Sequence, residues 1–154
     1  MKVISFTFLM LIVLSLAQNV FSAHAEGGEL QDGLDAVKRG DYKIAVEKLK
    51  PLAEEGQVDA QYNLGSMHYL GRGVGQDFKK AIKWFRLAAE QGVAEPQFQL
   101  GFMYYEGQGV GQDYRKAMEW FLRAAKQGDA DAQFNLGTMY LQGQGIPQNY
   151  PEAI

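Results

Sequence analysis

Side-chain catalysis needs a nucleophile with a base in reach, or carboxylates held at a working separation, and few residues of this chain offer either. There are two histidines and no cysteine. His24 falls in an apolar N-terminal leader, which leaves His68 as the one imidazole of the folded part. Ser66 lies two residues before it, and on a helix residues i and i+2 do not share a face. His68 is therefore expected to pack, partly buried. No His, Cys or carboxylate cluster has the spacing of metal ligands. Catalytic, cofactor and metal sites are all read as none. The polar residues that do recur are Gln61, Gln97 and Gln133, each at the same register. A buried amide finds a hydrogen-bond partner, and here that partner is expected to be backbone at the turn between two helices. Trp84, Phe85, Trp120 and Phe121 also recur at helical spacing, as core residues do.

Behind these residues stands a repeat. The stretch from Ala81 to Lys116 lies over the stretch beginning at Ala117, a step of 36 residues, so that Trp84 falls on Trp120, Gly101 on Gly137 and Gly109 on Gly145. One step back lie Ala45, Gly65 and Gly73, so a third copy precedes these two. A fixed period of this size marks a solenoid array. In each copy, helix A carries the stripe Ala81, Trp84, Phe85, Ala88 and Ala89 at i, i+3, i+4, i+7 and i+8. Asp77 is placed to cap it, with Asp41, Asp113 and Asn149 in the same slot, and Gly92, Gly56 and Gly128 end it. Helix B is expected over Ala94–Glu106, with Pro96 in its first turn. Its apolar residues Phe98, Leu100, Met103, Tyr104 and Tyr105 cover more than one stripe, which implies neighbours on two sides. Gly65, Gly101 and Gly137 sit mid-helix at a cost of about 1 kcal/mol against Ala, so a close helix approach is expected there. The linker GQGVGQD then offers Gly107, Gly109 and Gly111 for positive φ angles, with Val110 beneath the turn, as Val74 and Ile146 are in the other copies. Pro147 takes the place of the last glycine in the third copy.

These motifs resemble the Sel-1-like repeat, a branch of the tetratricopeptide-like helical repeats, with its A-x-x-W-[FY]-x-x-A-A, Q-G, A-Q-x-x-L-G-x-x-Y and G-x-G-V pattern. The first copy departs furthest: Lys48 and Leu49 stand for Trp84 and Phe85, His68 stands for Tyr104, and Pro51 lies inside helix A, where it should kink the helix. The resemblance implies an all-α fold, a right-handed α-solenoid of stacked antiparallel helix pairs. The copies are bounded at 41–76, 77–112 and 113–148, with a polar lead Glu26–Gln31 and a half-repeat capping helix within 26–40, and 149–154 opening a fourth. A cysteine-rich branch of the family is linked to β-lactam hydrolysis, which makes an exported β-lactamase-like hydrolase the alternative function. That branch pairs cysteines within each repeat, and none of Ser5, Ser15, Ser22 or Ser66 opens an S-x-x-K motif.

The leader supplies location. Val3–Ala17 is an apolar run of signal-peptide length behind Lys2, and Ala23 and Ala25 form an A-x-A site. Cleavage after Ala25 would export a chain of 129 residues, the 154 less those 25, to the periplasm or the outside with no membrane span left. The net charge of −3 and the absence of a basic run argue against nucleic-acid binding.

Function is sought where the copies differ while their frame stays constant. Lys83 becomes Glu119, Arg86 and Leu87 become Leu122 and Arg123, and Glu90 becomes Lys126. By resemblance, helix A lines a concave groove, so these eight are the expected partner-binding residues. The expected partner is another exported or envelope protein or peptide. After Phe134, Leu136, Met139 and Tyr140 the sequence supplies barely more than one further turn, so it is expected either to be a piece of a longer array or to close this C-terminal face by self-association or by docking a partner helix.

Overall fold

A computed structural model describes residues 28–145, and the leader, Ile146, Pro147 and Asn149 lie outside them. The described chain is seven helices with no strand among them. Helix α1 covers 28–39. Helices α2 (Tyr42–Glu54), α4 (Phe78–Glu90) and α6 (Tyr114–Ala125) are the A helices, and α3 (Val58–Leu70), α5 (Ala94–Glu106) and α7 (Ala130–Gln142) are the B helices. Each packs on the one before and the one after it, which makes an α-solenoid.

The amphipathic stripe explains the layering. Ala81, Trp84, Phe85, Ala88 and Ala89 are all buried, as are Ala117, Phe121 and Ala124 one step on. Leu49 takes the place of the aromatic in α2 and is fully buried. Phe85 leans on Tyr62 of α3 and Phe121 on Phe98 of α5, with ring centroids 5.8 and 5.6 Å apart. Helices α3 and α5 thus each meet the helix A of the next repeat through an aromatic contact.

The mid-helix glycines allow this approach. A Cβ at Gly65 would stand 2.8 Å from Cδ1 of Phe85, and one at Gly101 would stand 2.8 Å from Cδ1 of Phe121. Gly137 is the exception to the expected close contact, with nothing within 4 Å of its Cβ position. In the linkers, Gly73 and Gly109 adopt φ +73°, and a Cβ at Gly109 would fall 2.5 Å from the Phe78 carbonyl oxygen. Gly107 is also left-handed at φ +73°, but Gly111 is not among the positive-φ glycines, so the expectation for it is corrected. The turn needs two left-handed residues, and by Gly111 the chain has already reversed.

Three further expectations change. Asp77 and Asp113 cap as expected, accepting from the Lys80 and Lys116 backbone N–H groups at 3.0 and 3.1 Å. Asp41 does not: its ψ of 56° turns the carboxylate away, and it accepts from Arg39 Nε at 3.1 Å instead. Residues 28–31 of the supposed polar lead are helical, because Leu30, Leu34, Ala36 and Val37 give α1 an apolar side that docks on α2. Leu136 and Met139 of α7 are buried, since both turn inward with the core that includes Phe121 of α6 rather than toward the uncovered side. Pro51 lies inside α2, which continues past it to Glu54.

Candidate functional site

One glutamine ties each A-to-B turn. Gln61 Nε2 donates to the Ala53 carbonyl at 3.1 Å, Gln97 Nε2 to Ala89 at 3.1 Å and Gln133 Nε2 to Ala125 at 3.2 Å. The first two are only 4% exposed, and the backbone partner is the one their register implied. A second row of glutamines completes the device. Gln91 Nε2 donates to Gln61 Oε1 at 2.8 Å and to the Gly56 carbonyl at 2.9 Å, and Gln127 Nε2 donates to Gln97 Oε1 at 2.8 Å. The end of each later helix A is thereby joined to the turn of the repeat before it. The recurrence of Gln91 at Gln127 was the available signal in the sequence.

With the turns held, the exposed face of the A helices is a stable platform. All eight variable residues are exposed: Lys83, Arg86, Leu87 and Glu90 on α4, Glu119, Leu122 and Arg123 on α6, and Lys126 at its C-cap. Arg86 Nη2 donates to the Tyr104 hydroxyl at 2.7 Å, and the Arg123 guanidinium lies 4.3 Å from the Trp120 ring centroid. Lys83 and Leu87 border depressions against the preceding repeat.

The better-enclosed depression, about 360 Å³, lies between α2, α3 and α4. Its floor is apolar, from Val46, Leu64, Val74 and Trp84, and Lys50, Lys80, Lys83 and Glu54 stand around it. His68 forms one side. Burial holds its imidazole below the ordinary histidine pKa, with Lys80 adding to the effect and Asp77 and the Gly75 backbone opposing it. The neutral form is thus favoured, and Nδ1 is buried without a hydrogen-bond partner among the described residues. Ser66 Oγ donates to the Tyr62 carbonyl at 3.0 Å, away from any role with His68. Among the described residues no three His, Cys, Asp or Glu side chains are grouped to hold a metal ion. No described helix is long and apolar enough to cross a membrane.

A stack of helix pairs joined by repeated turn contacts, with variable residues on one exposed helix face, defines a helical-repeat scaffold. The chain belongs to the Sel1 repeat family, whose model matches residues 58–93, 96–129 and 130–154. No protein of curated function matches it. Among solved structures, it is 32% identical to a Sel1 repeat protein from Oxalobacter formigenes, with a TM-score of 0.73 over 81% of this chain and 50% of that one. It is 33% identical to a protective antigen of uropathogenic Escherichia coli strains that displays an SLR fold, with a TM-score of 0.76 over 88% of this chain and 30% of that one. Cysteine-rich protein B of Helicobacter pylori shares the fold at 20% identity and a TM-score of 0.58, over 73% of this chain and 95% of that one. The chain therefore spans half the length of the first of these relatives and less of the second.

Proposed function

We propose that this protein is an exported, non-enzymatic interaction module that holds a partner protein or peptide on the exposed face of its A helices. The observation that carries this reading is the division of labour within α4 and α6. The apolar stripe shared between the copies is buried or half-buried, whereas the eight variable residues named above are exposed on α4, on α6 and at the C-cap of α6. A scaffold that needed only to stack would have no use for Leu87 and Leu122 on that face, at 37% and 38% exposed beside charged neighbours. Export is supported by the Val3–Ala17 run and the Ala23–Ala25 site, and by the likeness to a protein described as a protective antigen.

The test is a photoreactive amino acid placed at Leu87 or Leu122 in cells that make the protein. A discrete adduct is expected from both positions and none from Glu106 at the end of α5. Equal labelling at all three would remove the reading. Intact mass of the exported chain is expected to begin at Glu26, and nitrocefin is expected to remain unhydrolysed.

A further inference from the structure

The groove between the first two repeats differs from its counterpart one step along the stack. At the second step, the place of His68 is taken by Tyr104, which is buried and whose hydroxyl accepts from Arg86 at 2.7 Å. The Tyr104 ring belongs to the same buried cluster as Leu100, with the Arg86 guanidinium held on its hydroxyl. At the first step the residue matching Arg86 is Lys50 and the residue matching Tyr104 is the smaller His68, and a cavity of about 360 Å³ remains over Leu64. The charge also differs. Lys83 borders the first groove where Glu119 stands at the second, so Lys50, Lys80 and Lys83 surround an apolar floor in a chain whose net charge is −3. Asp77 engages Lys80 at 3.5 Å, and Lys83 Nζ lies 5.2 Å from the Trp84 ring centroid. Among the described residues that line the groove, Glu54 is the single carboxylate.

We propose that this groove is a binding site for an acidic peptide, one apolar side chain entering over Leu64 and Trp84 while flanking carboxylates pair with Lys50 and Lys83. The proposal rests on the interaction-module reading and narrows it to one groove and one partner chemistry. Basic and neutral peptides lack the charge match, and like-charge juxtaposition with the lysines works against the basic ones.

The two tryptophans allow a direct measurement. In a Trp120→Phe background, Trp84 is the sole indole, and it lines the groove. The probes are heptapeptide pools with an acidic–apolar–acidic centre and Gly/Ser flanks, and matched pools with Lys or Gln for the acids. The acidic pool is expected to shift Trp84 emission saturably and the other two are not. Lys83→Glu installs the residue of the second groove and is expected to weaken the acidic pool about tenfold or more, as loss of a charge match does. His68→Tyr installs the residue of the other two copies, so the fold is kept, and by filling the cavity it is expected to cause at least as large a loss. Lys79→Glu, on the same helix but away from the groove, is expected to bind as the parent does. An acidic pool that leaves Trp84 unmoved, or binds His68→Tyr and Lys83→Glu undiminished, overturns the proposal. Photocrosslinking at Leu122 reports separately: adducts there with a silent Trp84 leave the interaction module standing without this groove.

Discussion

A methyl group at Gly101 and one at Gly137 occupy the same register and meet opposite surroundings. Both glycines cost their helices about 1 kcal/mol relative to Ala, so propensity alone favours replacing either. At Gly101 the new Cβ would lie 2.8 Å from a ring carbon of Phe121, which is fully buried and packed among the core residues of α5 and α6. Overpacking of this kind costs about 1 to 3 kcal/mol, more than the propensity gain. At Gly137 nothing lies within 4 Å, so the gain is realised. Gly101→Ala is therefore expected to lower the urea midpoint and Gly137→Ala to raise it, by up to about 1 kcal/mol in stability. Changes of the same sign would show that the α5–α6 approach does not require the glycine. The recurrence of three glycines was legible in the sequence, but the difference between them was not, because it depends on what lies across the interface.

At the scale of elements, the period, the helix bounds and the buried stripe could be read from residue spacing. These are local consequences of a 3.6-residue turn and of Gly and Asp at helix ends. What escaped that reading depends on contacts between elements. α1 docks on α2 through Gly33, where a Cβ would stand 2.6 Å from Leu49 Cδ2, so it acts as a B helix whose linker is shorter than the others and falls out of the 36-residue register. Asp129 caps α7, accepting from the Ala132 N–H at 2.7 Å, at a slot with no aspartate in the second copy, where Val93 stands. The open groove at His68 was visible only as a departure from the repeat. The glutamine rows are another inter-element contact. Gln97 is buried and serves both the Ala89 carbonyl and Gln127, whereas Gln133 is exposed. Removing a buried partner strands the groups it satisfied, at about 1 to 3 kcal/mol. Gln97→Ala is expected to destabilise by that amount and Gln133→Ala by under about 1 kcal/mol, since water replaces an exposed amide. Equal losses in chemical denaturation would mean that the turn bond is equally valuable wet or dry.

For the whole molecule, stability in a stacked array is a sum over neighbouring pairs, so an uncovered face matters to the entire stack. On α7, Phe134 is 75% exposed and Leu141 is 91% exposed. Their register mates Phe98 and Tyr105 meet Phe121 and Tyr114 of the next helix A, with ring centroids 5.6 and 5.3 Å apart. Leu136 and Met139 are already buried, so the uncovered apolar strip is narrower than the sequence stripe implied, and Phe134, Tyr140 and Leu141 carry it. What such a strip needs is a helix A. Adding a copy of residues 113–127 after residue 148 is expected to raise the urea midpoint, because each large apolar side chain taken fully out of water contributes about 1.5 to 3 kcal/mol. In the 154-residue chain the same strip is expected to drive concentration-dependent association, measurable by light scattering over a dilution series. The double variant Phe134→Lys, Leu141→Lys is expected to scatter as a monomer throughout while its unfolding midpoint stays within about 0.5 kcal/mol of the parent, since both side chains point into solvent. If the parent is already monomeric at every concentration and the added helix leaves the midpoint unchanged, then α7 does not present a stacking face and the register drawn from α5 does not extend to it.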